Sequence, residues 1–300
     1  MRPIIHTLDL DFLNEASSIA SFLIETSEGL ILIESGPETT FDNLINEIAK
    51  RGFDWKEIRH LLLTHIHFDH AGAAWKFARN GTKVHVHPAG LPHLENPEKL
   101  WNSAAMIYGD DMDRLWGKME PIAPERLIPA DEGDTIVLGE AEFKVHYTPG
   151  HAVHHNAYQL VDIIFTGDVA GVKIGNGPVV PPCPPPDINV ELWLQSIQKL
   201  KILQPGTLYL THFGRVDGPR QHFSELELIL DDWASWMKQH FDAGTPPEAV
   251  TPDFMAYTKG QLLHAGVAES DIQKYEYANP SWMSVAGLLR YWKLKEQGRI

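Results

Sequence analysis

The stretch Thr64-His65-Ile66-His67-Phe68-Asp69-His70, set directly behind the apolar run Leu61-Leu62-Leu63, constrains this chain more than any other. Four metal-competent side chains fall within six residues, where a buried strand gives way to a turn. Such a cluster is hard to account for as packing. Imidazole nitrogen and carboxylate oxygen together suit zinc, iron or manganese, so the cluster implies at least one bound cation.

The rest of the composition narrows the setting. Three hundred residues with 43% apolar content are ample for a buried core in one large domain or two small ones. A formal charge of −15 argues against nucleic acid, because phosphate binding needs a basic face and none is visible. Cys183, the single cysteine, excludes an internal disulfide and is consistent with a reducing compartment. It sits among prolines without a basic neighbour, so a catalytic thiolate is not expected there. The opening Met1-Arg2-Pro3-Ile4-Ile5-His6 lacks the apolar core of a signal peptide, and no apolar run reaches the length of a membrane span. The expectation is a cytoplasmic protein with a small-molecule partner, no nucleic acid and no membrane, with a homodimer left open.

Two strand-like runs, Ile19 to Glu25 and Leu30 to Glu34, are joined by Thr26-Ser27-Glu28-Gly29, a hairpin by composition, and the sheet is expected to begin there. Phe41, Leu44, Ile45 and Ile48 have helical spacing over 39–50. A buried strand over 61–64, a helix over 71–79 and a strand over 83–87 follow. This alternation is an α/β pattern. Between Pro88 and Pro124 strand signals vanish, and Leu100, Trp101, Ala104, Met106, Ile107, Leu115, Trp116 and Met119 recur at helical intervals. Strands return over 135–138, 142–147, 157–161 and 163–166, with Val161-Asp162 as a tight turn. The proline-rich 175–186 reads as a surface loop. Helices over 189–203 and 219–241 flank a strand over 208–210, and the chain beyond Gly244 reads as helical. The expected organisation is a catalytic unit over 1–244 with a helical insertion at about 89–124, and a C-terminal helical extension over 245–300 packed on it.

Three later segments place a ligand-type residue at a strand end: Thr148-Pro149-Gly150-His151, Phe165-Thr166-Gly167-Asp168 and Leu210-Thr211-His212-Phe213-Gly214. In a layered sheet fold the strand ends converge on one rim, so ligands far apart in sequence meet in space.

In this order, H-x-H-x-D-H, T-P-G-H, T-G-D and T-H-F-G resemble the metallo-β-lactamase superfamily, over roughly residues 18 to 215. The resemblance implies an αββα sandwich of two mixed sheets flanked by helices, with a two-metal site at one edge. His65, His67 and His151 would hold one metal, Asp69, His70 and His212 the other, and Asp168 would bridge them. Two divalent ions are implied, zinc first, with iron and manganese as alternatives. Glu34 stands where the superfamily usually has aspartate, and with His154 and His155 it is a candidate support behind the ligands. His67, where the diiron redox branch has glutamate, favours hydrolysis. The chain is too short and too acidic for the nuclease branch.

A metal pair about 3.5–4 Å apart lowers the pKa of a shared water toward roughly 7, giving a bridging hydroxide that attacks a polarised carbonyl. Asp69 could orient that hydroxide and carry a proton to the leaving group, which makes it the candidate catalytic residue. The branches most similar in plan are the acyl-homoserine lactonases and the hydroxyacylglutathione hydrolases, so a lactone or thioester is the expected substrate. After Asp168 the chain has Val169-Ala170-Gly171-Val172 where a lactonase carries a tyrosine, while Arg290, Lys293 and Lys295 are the basic residues a glutathione thioesterase would use. Alternatives are a mononuclear iron persulfide dioxygenase, which would need only His65, His67 and His151, a β-lactamase-like enzyme, or a phosphodiester hydrolase. His85 and His87 face one side of a strand without a nearby carboxylate and read as structural. Trp101, Tyr108 and Trp116 read as core before substrate box.

Overall fold

Strand-period alternation builds a first sheet from β1 (Ile5–Asp9), β2 (Ala20–Thr26), β3 (Gly29–Ile33), β4 (Ile58–Leu62), β5 (Lys83–Val86) and β6 (Leu127–Pro129), side by side in chain order. The computed structural model describes residues 4–300; Met1, Arg2 and Pro3, the start of the segment weighed as a signal peptide, lie outside the described residues. β1, β2 and β3 form an antiparallel meander, whereas β3 to β6 run parallel. The hairpin at Ser27-Glu28 is closed by Thr26 Oγ1 donating to the Gly29 carbonyl at 2.8 Å. The sheet therefore begins at Ile5 and not at Ile19. Both β1 and β6 are edge strands that the sequence pattern does not announce.

Parallel neighbours need crossover helices. α1 (Phe41–Lys50) joins β3 to β4, α2 (Phe68–Ala71) and α3 (Ala74–Arg79) join β4 to β5, and α4 (Leu91–Glu95), α5 (Glu98–Tyr108) and α6 (Met112–Leu115) lead to β6. The helix expected over 71–79 is thus two short helices, the first carrying Asp69 and His70.

The second sheet contains β7 (Thr135–Leu138), β8 (Ala141–Tyr147), β9 (Asn156–Leu160), β10 (Ile163–Phe165), β11 (Thr207–Leu210) and β12 (Gly214–Asp217). All its pairs are antiparallel except β10 with β11, which are linked through α7 (Val190–Ile202). α8 (Pro219–Asp242), α9 (Pro247–His264), α10 (Glu269–Ala278) and α11 (Ser281–Glu296) complete the chain.

Three apolar layers hold these parts together. Phe22, Ile24, Ile31, Ile33 and Leu62 of the first sheet meet Phe143, Val145, Tyr158 and Phe165 of the second. The opposite face of the first sheet, Leu23, Leu32, Leu61 and Leu63, packs on Leu44 and Ile48 of α1 and Phe77 of α3. On the far side, Ile164, Leu208 and Leu210 pack on Trp193 and Ile197 of α7 and on Phe223, Leu226, Leu230, Trp233 and Met237 of α8, whose spacing makes one continuous stripe. Each such fully buried side chain contributes about 1.5–3 kcal/mol. The product is the expected helix–sheet–sheet–helix sandwich. α9 and α11 lie on α8, where Phe254 meets Trp233 at a 5.1 Å ring separation and Trp292 Nε1 donates to the Ala234 carbonyl at 2.9 Å.

The proline-rich segment departs from its reading as a surface loop. Val172 and Val180 pair as an antiparallel bridge, and Val179 to Cys183 are buried under α10 and α11. Among the described residues no helix is long and apolar enough to cross a membrane.

Candidate metal centre

Four strand exits deliver the chemistry. His65, His67, Asp69 and His70 follow β4, His151 follows β8, Asp168 follows β10, and His212 lies between β11 and β12. All seven converge. His67 Nδ1 lies 3.0 Å from His65 Nε2 and 3.1 Å from His151 Nε2. For a tetrahedral cation with metal–nitrogen distances near 2.0–2.1 Å the donors stand about 3.3 Å apart, so these three nitrogens could hold one ion with little adjustment. In a second group, Asp69 Oδ2 is 3.6 Å from His70 Nε2 and 3.4 Å from His212 Nε2. Asp168 faces both groups. Its Oδ2 is 3.2 Å from His151 Nε2, while its Oδ1 is 3.3 Å from His70 Nε2 and 3.5 Å from His212 Nε2.

Hydrogen bonds on the far side of the His65, His70, His151 and His212 rings leave their facing nitrogens available. A carbonyl can only accept, so His151 Nδ1–H donates to Pro182 at 2.9 Å and His212 Nδ1–H donates to Ser18 at 2.7 Å. Glu34 organises the rest. Its Oε1 accepts from the Thr64 hydroxyl, from His70 Nδ1 at 3.1 Å and from the Thr211 hydroxyl at 3.4 Å, and its Oε2 accepts from the Thr64 amide at 3.3 Å. With its proton on Glu34, Thr64 Oγ1 accepts from His65 Nδ1 at 3.0 Å, which leaves His65 Nε2 for a cation. Glu34 is fully buried, in left-handed backbone at φ 63°, in keeping with a support behind the donors.

His155 has a comparable supporting position. Its Nε2 accepts from the Asp168 amide at 3.2 Å, so Nδ1 carries the proton and donates to Thr148 Oγ1 at 2.8 Å. His154 is buried, with its ring 6.1 Å from that of His65 and 5.7 Å from that of His67, and its Nδ1 has no hydrogen-bond partner.

The electrostatics call for positive charge. Burial alone would raise Asp69, but His70 and His212 hold it down at about 2. Burial would likewise raise Asp168, yet His70, His151 and His212 pull it well below the usual carboxylate range. Burial lowers His65 and His67, and sets His151 at about 4. His70 and His212 go the other way: burial opposes their protonation, but Asp168 and Asp69 raise both. His70 Nε2, His212 Nε2 and Asp168 Oδ1 are all buried without a hydrogen-bond partner, each an omission that ordinarily costs about 1–3 kcal/mol. A donor set of five imidazoles and two carboxylates with three orphaned atoms fits divalent cations.

Other sequence candidates lie elsewhere. His85 is buried and faces His60, with 2.9 Å between their ring nitrogens; His87 stacks on Tyr147 and has Asp131 at 3.7 Å, the nearby carboxylate that the sequence did not show. Neither enters the donor groups. Burial pushes the Cys183 thiol up, in keeping with an inert residue. Trp101, Tyr108 and Trp116 pack in the outer apolar layer of the first sheet, Tyr108 also donating to Met283 Sδ at 3.0 Å. Arg290 Nε donates to the Pro186 carbonyl and Lys295 pairs with Glu191. A shallow groove of about 650 Å³ beside α7, lined by Leu194, Lys199, Ile202 and Leu203 among others, includes none of the donors.

Residues 15–212 match the sequence model of the metallo-β-lactamase superfamily. The chain belongs to that superfamily. The histidine and aspartate groups brought together here imply divalent metal use. The chain is 29% identical over 207 residues to the metallo-β-lactamase fold-containing protein ST1585 of Sulfurisphaera tokodaii, covering 67% of this chain and 76% of that protein. The crystal structure of ST1585 aligns with a TM-score of 0.63 at 25% identity, over 77% of this chain and 87% of the other. The metallo-β-lactamase family protein TTHA1429 of Thermus thermophilus shares the fold with a TM-score of 0.70 at 19% identity, over 98% of this chain and 94% of the other. A hydroxyacylglutathione hydrolase of Buchnera aphidicola is 28% identical over 146 residues, 49% of this chain but only 44% of that enzyme.

Proposed function

We propose that this superfamily member is a hydrolase using two divalent cations, zinc first, on a small ester-type substrate, a lactone or a thioester. The observation that carries the reading is Asp168, whose two oxygens face separate donor groups. His65, His67 and His151 would hold one ion and Asp69, His70 and His212 the other, with Asp168 shared. When bound, the ions supply Lewis acidity toward a carbonyl oxygen and a water acidified to about neutral pKa.

The chain's own groups then divide the work. Asp69 keeps 21% side-chain exposure while His70, His212 and Asp168 keep 4% or less, so a substrate approaches on the Asp69 side. Its ionised carboxylate can accept a hydrogen bond from the attacking water, orient it, and pass the proton to the departing oxygen or sulfur. Glu34 and His155 hold the donors rigid through the reaction, which keeps the site ordered before substrate arrives. No serine or cysteine nucleophile is required. Residues 1–244 form the catalytic unit in this reading and 245–300 an extension packed on it. The setting is the cytoplasm, with a small molecule and neither nucleic acid nor membrane as partner.

The test is a hydrolysis screen of lactones, thioesters, aryl esters, phosphodiesters and β-lactams with metal-reconstituted protein. Turnover of a lactone or thioester, with two metal equivalents and loss of activity on chelation, is expected. Turnover confined to phosphodiesters or β-lactams, or one iron with oxygen uptake on a persulfide, would overturn the proposal.

A further inference from the structure

Pro178, Pro181, Pro182, Pro184, Pro185 and Pro186 leave the segment after Gly175 with few N–H groups of its own, so its carbonyls take donors from elsewhere. One such donor is the metal centre itself, because His151 Nδ1–H is bonded to the Pro182 carbonyl. The base of the same loop runs beside the second donor group: the Lys173 amide donates to the His212 carbonyl at 2.6 Å, and the Phe213 amide to the Lys173 carbonyl at 3.3 Å.

The other side of the loop is gripped by α10 and α11 and the turn between them. The Tyr275 hydroxyl donates to the Pro178 carbonyl at 2.7 Å and accepts from the Ile174 amide at 3.2 Å. Asn279 Nδ2 donates to the Pro181 carbonyl at 3.2 Å, and Ser284 Oγ accepts from the Cys183 amide at 3.3 Å. These three side chains are at most 6% exposed, so their bonds are shielded from competing water. Gly287 lets α11 come this close: a β-carbon there would lie 1.9 Å from the Cys183 carbonyl oxygen. The bonds from Asn279 and Ser284 fall on Pro181 and Cys183, the residues on either side of the carbonyl that orients His151.

We propose that Tyr275, Asn279, Ser284 and Gly287 are positioning residues for the metal centre. They fix the Pro181-Pro182-Cys183 backbone, the Pro182 carbonyl fixes the tautomer and direction of the His151 ring, and the affinity of the His65, His67 and His151 group is set by helices that contribute no ligand. This rests on the metal assignment made above. Linkage is reciprocal, so a cation on that group tightens α11 against the loop.

The experiment uses the full chain in a His212→Ala background, where only the three-histidine group is complete. Zinc affinity is measured by chelator competition, and α11 amide exchange is followed with and without zinc. Asn279→Ala with Ser284→Ala, and separately Gly287→Ala, are expected to weaken zinc binding about tenfold, the lower end for partners behind a ligand. Zinc should slow α11 exchange in the parent and not in these variants. Trp292→Phe, which removes the α11 bond to Ala234 and leaves the loop alone, should lower thermal stability without changing zinc affinity. If the double variant does not fold, Tyr275→Phe removes only a hydroxyl and is judged by the same criteria. Loop-gripping variants that lose stability as Trp292→Phe does, yet bind zinc unchanged, would overturn the proposal. Normal zinc binding in a protein that hydrolyses none of the screened esters would instead defeat the proposed activity, leaving the metal titration to decide this inference.

Discussion

Glu34 shows how much one residue can organise. Thr64, His70 and Thr211 all converge on its Oε1, so it steadies donors from both groups at once. Glu34→Gln presents an amide where N–H and O–H groups already point, and metal affinity of both groups should fall about 10–100-fold in a chelator competition. Asp168→Ala removes the one carboxylate common to both groups and is expected to cost metal occupancy and nearly all turnover; two retained metals with full activity would refute the ligand assignment. Acid should separate the groups. His65, His67 and His151 are held neutral by burial, so protons compete weakly for them, whereas His70 and His212 are raised and must shed protons to bind a cation. Lowering pH from 8 to 5 should therefore strip one metal equivalent before the other, as read by metal analysis after dialysis. The seven converging donors are legible in the sequence because clustered histidines and aspartates are chemically conspicuous. Their supports are less so: Pro182 and Ser18 act through backbone carbonyls, which no side chain advertises, and Thr64, Thr148 and Thr211 look like turn residues although each is a buried hydrogen-bonding post.

At the scale of elements, long strands with clear alternation and helices with an apolar stripe are readable, and short edge strands are not. Leu127–Pro129 ends in a proline, and Gly214–Asp217 holds one apolar residue, so neither carries a period-two signal. The proline segment escapes its sequence reading for a related reason: prolines usually mark exposed turns, but here Tyr275 of α10 and Asn279 of the following turn supply donors, and Ser284 of α11 an acceptor, that permit burial. The β8-to-β9 connection offers a test of how tightly an element fixes a ligand. Gly150 has φ 130°, and a β-carbon there would stand 2.3 Å from the Trp193 backbone. Gly150→Ala should thus displace the neighbouring His151, lowering stability by about 2 kcal/mol or more in chemical denaturation together with zinc affinity.

For the molecule as a whole, buried neutral histidines outside the metal centre set a limit in acid. Burial lowers His85 to about 3 and His222 to about 4. Above about pH 6.5 both states leave these rings neutral and nothing is lost. As pH falls from there toward 4, the unfolded chain takes protons that the folded chain refuses, and stability declines. At pH 5 the loss is on the order of 2 kcal/mol for each ring, visible in metal-free denaturation midpoints at pH 7.5 and 5. The origin of the seven donors has a wider consequence. Four leave the first sheet and three leave the second, so each cation of the proposed pair would join the two sheets like a clasp across a seam. At a thousand times its dissociation constant, such an ion would add about 4 kcal/mol against opening. The sheets of the loaded protein could part only by surrendering their ions first, so its resistance to proteolysis should follow the metal supply of its surroundings.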